Sequence, residues 1–323
     1  MSSRFVIVGA GALGSILAAH LVRAGHDVTL VARGERAARV RQNGLALSGL
    51  TTLETPCAVV TEPRELRSAD TLIVATKAIA TAQTLAPLRH LELGCAFSVQ
   101  NGVLKNELLG AAFGAERVLG CMADFSGELL PDGVVKFTRN VGLYLGELGA
   151  RTSERARALG ELIEAAGIHA SVSPDIRVRE WSKFVGWVAQ LPLAVLTRRH
   201  TWEFLTDAHA ASVIVRLARE TKALADAEGI ALEDAPPLPV AAMGRANDRE
   251  AARLVEAVGR RYHDMAPEHR MSAQQDALRG RPLELEETLG FALDRAAELG
   301  VPMPALELTY AILRASFPAS RSQ

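Results

Sequence analysis

Gly9, Gly11 and Gly14 form a G-x-G-x-x-G pattern near the start of the chain, with Ala12 and Leu13 between the last two. The pattern follows a short β-rich run, Phe5 to Val8, and opens a helical one. In that setting the first glycine allows a tight turn, the second lets backbone approach a pyrophosphate, and the third lets helix and strand pack closely. The helix N-terminus then favours the anion. A second group with chemical capacity is Lys183, third residue of the apolar stretch WSKFVGWVAQLPLAVLT at 181–197. An ammonium group is costly to bury without a partner. It either lays its stem over the core with its head in water, or it is held in place for a reaction. Two strand ends, Thr76-Lys77 and Gln100-Asn101-Gly102, add candidates. Lys77 has the charge to meet a phosphate, and Asn101 has an amide to set beside a nicotinamide or a substrate. Taken singly, each also reads as an ordinary loop residue.

The elements that must position these groups follow from periodicity. A strand over Phe5–Val8, a helix over Ser15–Ala24 closed by Gly25, and a strand over Asp27–Ala32 make one βαβ unit. The tip of its second strand reads Val31-Ala32-Arg33, with no carboxylate to take the ribose hydroxyls of NAD. The guanidinium fork of Arg33 suits a 2′-phosphate, so the expected cofactor is NADP(H). Further strands at Leu72–Thr76 and Ala96–Val99 continue a parallel sheet, whose ligands bind beyond the carboxyl ends of strands. Val134–Thr138 and Leu143–Gly146 read as two later strands. Beyond Pro174 the pattern turns helical, over 176–198, 207–228, 248–263, 283–299 and 305–315. Gly229 and Gly300 stop two of these, and Pro236, Pro237 and Pro239 mark a loop. The expected fold is therefore α/β plus all-α. A Rossmann-type dinucleotide-binding domain occupies 1–173, and an all-helical domain for substrate, catalysis and dimer contacts occupies 174–323. The one low-complexity tract is the polar tail Ser320–Gln323.

Bulk properties narrow the function classes. The 323 residues carry 36 basic and 37 acidic side chains, so there is no electrostatic footprint for nucleic acid or an anionic membrane. The apolar segment 5–22 contains three glycines and His20, which fits strand, turn and helix better than a signal peptide or membrane span. Cys57, Cys95 and Cys121 have no metal-ligand or disulfide spacing and read as small buried hydrophobes in a reducing cytoplasm. The eight histidines form no metal-ligand spacing, and no nucleophile elbow is present.

The assembled pattern resembles the ketopantoate reductase (2-dehydropantoate 2-reductase) family over nearly the whole chain. The matching segments are VGAGALG at 8–14, Arg33, TK at 76–77, QNG at 100–102 and WSK at 181–183. SAQQDALRGRPLELEETLG at 272–290 and ELGVPMP at 298–304 complete them. The resemblance implies an NADPH-dependent reductase of the ketone of a 2-oxo acid, placed in pantothenate biosynthesis. It implies Lys183 as the general acid, Asn101 holding Lys183 and substrate, and Ser272 and Glu284 in contact with substrate. It also implies Arg33 and Lys77 at the NADPH phosphates, and it admits a homodimer. The chemistry agrees: a cation beside the carbonyl stabilises the developing alkoxide, and an ammonium group partly out of water gives up its proton more readily.

The sequence departs from the family's pattern on one helix face. The asparagines that follow the lysine by four and eight residues are Trp187 and Leu191 here, and residues so spaced share a face. Another family asparagine is Leu289, the Ser-Met pair is Ser272-Ala273, and the threonine before the glutamate is Leu283. Gln190 lies near the same face and offers an amide. Because lost hydrogen bonds to a small polar acid change specificity strongly, the expected substrate is larger or more apolar than ketopantoate. Trp187 either lines that substrate or packs between helices. Three alternatives stay open: ketopantoate itself, an imine in place of a ketone, and a non-catalytic NADP-binding sensor.

Overall fold

A computed structural model describes residues 2–79 and 81–318; the polar tail at 320–323 lies outside them. The chain divides into two compact units. One takes the chain up to Asn101 and again from Lys105 to Arg177, and the other takes Gly102–Leu104 and the chain from Val178 onward.

The elements before the boundary begin with β1 (Arg4–Val8), α1 (Ala12–Arg23), β2 (Asp27–Val31), α2 (Gly34–Asn43), β3 (Leu45–Gly49), β4 (Leu53–Thr55) and β5 (Ala58–Val60). There follow β6 (Ser68–Val74), α3 (Thr81–Leu85), β7 (Glu92–Ser98), α4 (Leu104–Phe113), β8 (Leu119–Leu129), β9 (Val135–Glu147), α5 (Glu154–Ala165) and β10 (Ala170–Val172). The first sheet is wholly parallel in the order β5-β2-β1-β6-β7. β1 sits at its centre because both its faces are apolar: Phe5 and Ile7 join one buried cluster, Val6 and Val8 another. Strand order reverses at β1, so its carboxyl end and that of β6 form the switch point where such sheets bind ligands. Helix α1 ends where Gly25, at φ +86°, turns the chain and donates its N–H to the Val22 carbonyl at 2.9 Å.

The second sheet is built on β8 and β9, which pair antiparallel along their whole length. The segments 134–138 and 143–146 are thus one strand and not two. Their polar middle stays in register because Arg139 forks onto Asp124 across the hairpin at 2.8 and 2.9 Å, beside irregularities at Asp124/Phe125 and Ser126/Gly127. The other edge of β9 takes β3 at Val135–Phe137 and β10 at Leu143–Leu145, both parallel. Cys95 on β7 and Cys121 on β8 are buried; Cys57 is only half-buried, and burial pushes its thiol up to about 11.

The helical elements are α6 (Ile176–Thr197), α7 (Thr201–Leu205), α8 (Ala208–Ala227), α9 (Val240–Arg245), α10 (Asp248–Met265), α11 (Ser272–Leu278), α12 (Phe291–Leu299) and α13 (Pro304–Ser316). Asp207 caps α8 by accepting from His209 and Ala210, and Asn247 with Glu250 forms a capping box on α10. Helix α6 contributes Phe184, Val188, Leu191 and Val195 to the core of its unit. The helical run expected over 283–299 is divided. Residues Glu286–Gly290 form a turn of π-helix, with Gly290 donating to the Leu285 carbonyl at 2.8 Å, before α12 starts. The hydroxyl of Thr288 donates to the Glu284 carbonyl within this turn. Among the described residues no helix is long and apolar enough to cross a membrane.

Candidate active site

The glycine turn joins β1 to α1, and each glycine meets a different constraint. Gly9 has φ +112°, and a Cβ on it would stand 2.8 Å from the backbone of Ala75 and Thr76 at the end of β6. A Cβ on Gly14 would stand 2.0 Å from the Gly9 carbonyl oxygen. Gly11 differs: a Cβ there would meet nothing within 4 Å. The turn therefore needs two glycines for its own packing and keeps an open face at the third, at the N-terminus of a twelve-residue helix. That open backbone face fits a dinucleotide pyrophosphate.

Arg33 is exposed at the N-cap of α2, two residues beyond β2. Three residues on, Arg36 has its whole guanidinium engaged. It donates to the Ala10 carbonyl at 3.0 Å, to Ser15 Oγ at 3.0 Å and to the Gly133 carbonyl at 2.9 Å. Burial, followed by neighbouring Arg39, lowers its pKa. Arg36 thus ties the glycine turn to the β8–β9 hairpin. No local pattern marks it, because Gly133 is remote in sequence. Lys77 is exposed just past β6, and Asn101 is half-buried just past β7. Gly102, at φ +88°, starts the short segment assigned to the helical unit. A Cβ on it would lie 3.6 Å from the Glu287 carbonyl, in the π-helical turn that follows Glu284.

In the helical unit, every residue from Trp181 to Pro192 is buried except Lys183, which is half-buried. Trp187 keeps 7% of its surface exposed and Leu191 1%, and both belong to the hydrophobic core. Gln190 is buried, and its amide donates to the Gly186 carbonyl of its own helix at 3.0 Å. Ser182 is also committed, its Oγ accepting from the Glu233 N–H at 2.9 Å. Ser272 is the exposed first residue of α11, while Glu284 is buried just ahead of the π-helical turn.

The family model described as ketopantoate reductase PanE/ApbA matches residues 5–150, and its C-terminal counterpart matches residues 175–316. A 2-dehydropantoate 2-reductase of Archaeoglobus fulgidus is 32% identical over 298 residues, spanning 92% of each chain. The chain belongs to the ketopantoate reductase family. Two solved structures extend the comparison. The 2-dehydropantoate 2-reductase of Geobacter metallireducens superposes with a TM-score of 0.82 at 26% identity, covering 97% of this chain and 99% of that one. D-mandelate dehydrogenase with NADH and anilino(oxo)acetate superposes with a TM-score of 0.83 over 97% of this chain and 98% of its own, and at 19% identity that likeness concerns the fold. As a ketopantoate reductase family member, the chain is an NADP-dependent oxidoreductase acting on CH–OH groups, with a Rossmann-type unit followed by a helical one.

Proposed function

We propose that the chain reduces the ketone of a 2-oxo acid with NADPH, and that Lys183 is the general acid. The observation that carries this reading is the single half-buried position, Lys183, in a helix segment otherwise buried from Trp181 to Pro192. The Gly9–Gly14 turn, including Ala12 and Leu13, would hold the pyrophosphate, with Arg33 and Lys77 at further phosphate oxygens. The nicotinamide, when bound, supplies hydride to the carbonyl carbon. Lys183 gives one proton to the carbonyl oxygen, its ammonium having stabilised the charge developing there, and the neutral amine regains its proton from water. Asn101 sets its amide beside the nicotinamide and, with Ser272 and Glu284, orients the substrate, Glu284 by accepting from a hydroxyl.

The substrate of this reading is more apolar than ketopantoate. Trp187 and Leu191 put packed hydrocarbon and indole where the resemblance to the family implies amides, and the amide nitrogen of Gln190 donates to Gly186. A contact from Gln190 to substrate would use its other end. The similarity to the Archaeoglobus 2-dehydropantoate 2-reductase favours a second reading, in which 2-dehydropantoate itself is the substrate. NADPH oxidation against a panel of 2-oxo acids, with 2-dehydropantoate, branched aliphatic and aryl members included, separates the two. A kcat/KM highest for 2-dehydropantoate rejects the apolar preference. Lys183→Ala should lower kcat by roughly 10²–10⁴-fold on the best substrate; unchanged turnover rejects the acid role. A homodimer and a cytoplasmic location complete the reading. The exposed pair Leu308 and Ile312, one turn apart on α13, supports the dimer, and sedimentation of the full chain tests it.

A further inference from the structure

Gln100 and Lys105 take no part in the chemistry above, yet both are polar and 94% or more of their surface is hidden, each being 6% exposed. The Gln100 amide nitrogen faces three acceptors on the turn after β6: the Lys77 carbonyl at 2.9 Å, Thr81 Oγ1 at 3.0 Å and Thr76 Oγ1 at 3.2 Å. Thr81 passes its own hydroxyl hydrogen to the Ala78 carbonyl at 2.6 Å, which leaves its lone pairs toward Gln100. The amide oxygen accepts from Ser98 Oγ at 2.9 Å, and Ser98 Oγ in turn accepts the Gln100 N–H at 3.1 Å. The carbonyl of the Gln100–Asn101 peptide accepts from Lys105 Nζ at 3.0 Å, and the same ammonium donates to the Cys121 carbonyl on β8 at 2.6 Å. An apolar side chain at 100 would remove both amide N–H donors from the three acceptors of this partly buried turn at once.

We propose that Gln100 and Lys105 are positioning residues for dinucleotide binding: together they lock the turn bearing Lys77 to the strand end bearing Asn101. Lys77 and Asn101 then meet the cofactor as one preformed unit, and binding does not have to order two separate loops. This rests on the cofactor roles given above to Lys77 and Asn101. Fully hydrogen-bonded buried networks of this kind rigidify the segments they join.

The test is titration of the full chain with NADPH, followed by nucleotide fluorescence, in Gln100→Glu, Lys77→Ala and the double variant. Glutamate keeps the shape and the bond from Ser98 but has no N–H for the turn. Gln100→Glu should raise the dissociation constant about tenfold, the loss expected for a buried hydrogen bond. Combined with Lys77→Ala it should raise the constant by clearly less than the product of the single effects. In cofactor-free protein, amide hydrogen exchange over 76–79 and at Thr81 should speed up in Gln100→Glu. A Gln100→Glu constant within about twofold of the parent, or full multiplication in the double variant, overturns the proposal. Lys77→Ala binding NADPH like the parent instead overturns the phosphate role of Lys77, an outcome separable from the effect of Gln100→Glu. Should Gln100→Glu not fold, Thr81→Val and Lys105→Met carry the same prediction with smaller shifts, and parental affinity and exchange in both overturn it.

Discussion

Arg33 and Arg36 stand three residues apart at the start of α2, and the geometry gives them different work. Arg33 is exposed at the strand tip, where its charge can be read only by something that binds there. Each of the three guanidinium nitrogens of Arg36 donates one bond, to Ala10, Gly133 and Ser15, so its role is to shape the glycine turn. Two phenotypes follow. Arg33→Ala should weaken NADPH about tenfold to a hundredfold, the worth of one or two charge-assisted hydrogen bonds, and leave NADH nearly unchanged. Arg36→Met should weaken both nucleotides to a similar degree, because the turn it holds meets the pyrophosphate they share. Equilibrium titration with the two nucleotides reads the difference directly. Lys183 belongs to the same scale: its type and place suggested chemistry from the sequence, whereas the engagement of Gln190 with Gly186 could not be read there, since the rotamer chose between solvent, substrate and backbone.

At the scale of elements, the strand-turn-helix at the N-terminus separates folding from binding within one motif. Gly14→Ala drives a Cβ to 2.0 Å from the Gly9 carbonyl oxygen, so α1 must move off β1. A loss of about 2–4 kcal/mol of stability is expected, as for other overpacked backbone contacts. Gly11→Ala places a Cβ in open space at an extended φ of −72°, a conformation alanine adopts. Its stability should fall by no more than about 1 kcal/mol, the cost of a poorer N-cap, while NADPH affinity drops because the new methyl occupies the approach. Urea denaturation and NADPH titration on both variants check the contrast. The β8–β9 hairpin carries the opposite lesson. Its two halves look like separate strands because Arg139 and Asn140 interrupt the apolar pattern, and only pairing with Asp124 makes the interruption part of the ladder. Likewise the helical pattern over 283–299 is real from Phe291, but the wide turn before it depends on Thr288 reaching back to Glu284.

At the scale of the whole molecule, acid should unfold the nucleotide-binding unit first through groups that no site uses. His20 is buried, donates Nδ1–H to the Ala166 carbonyl at 2.9 Å and stacks edge-on with Phe137. Its Nε2 has no hydrogen-bond partner among the described residues, so a proton there would be a buried, unpaired charge. Desolvation lowers its pKa below the ordinary 6.5, and His26 shifts the same way for the same reason. Below pH 6.5 the unfolded chain therefore takes up protons that the folded chain refuses. Stability is complete above that value and falls as pH drops from it toward the folded pKa. Glu147 adds a second window. The hydrogen bond from Arg155, with help from Ser153, holds its carboxyl below the usual 4.5, so its contribution is present above 4.5 and disappears as pH falls through the folded value. Urea midpoints taken between about pH 7.5 and about pH 5.5 should decline in the parent and flatten in His20→Gln. By itself the sequence determined what depends on neighbours along the chain: the glycine turn and its open residue, the parallel βαβ start, the switch to helices after Pro174, and a lysine out of place in an apolar run. Only the tertiary structure decided which distant groups complete those local pieces, among them Arg36 on Gly133, Gln100 on the Lys77 turn, and Trp187 in the helical core. Local torsions and hydrophobic periods are set by sequence spacing, whereas a buried hydrogen bond is satisfied by whichever partner the folded chain brings within 3 Å, and that choice is made by packing.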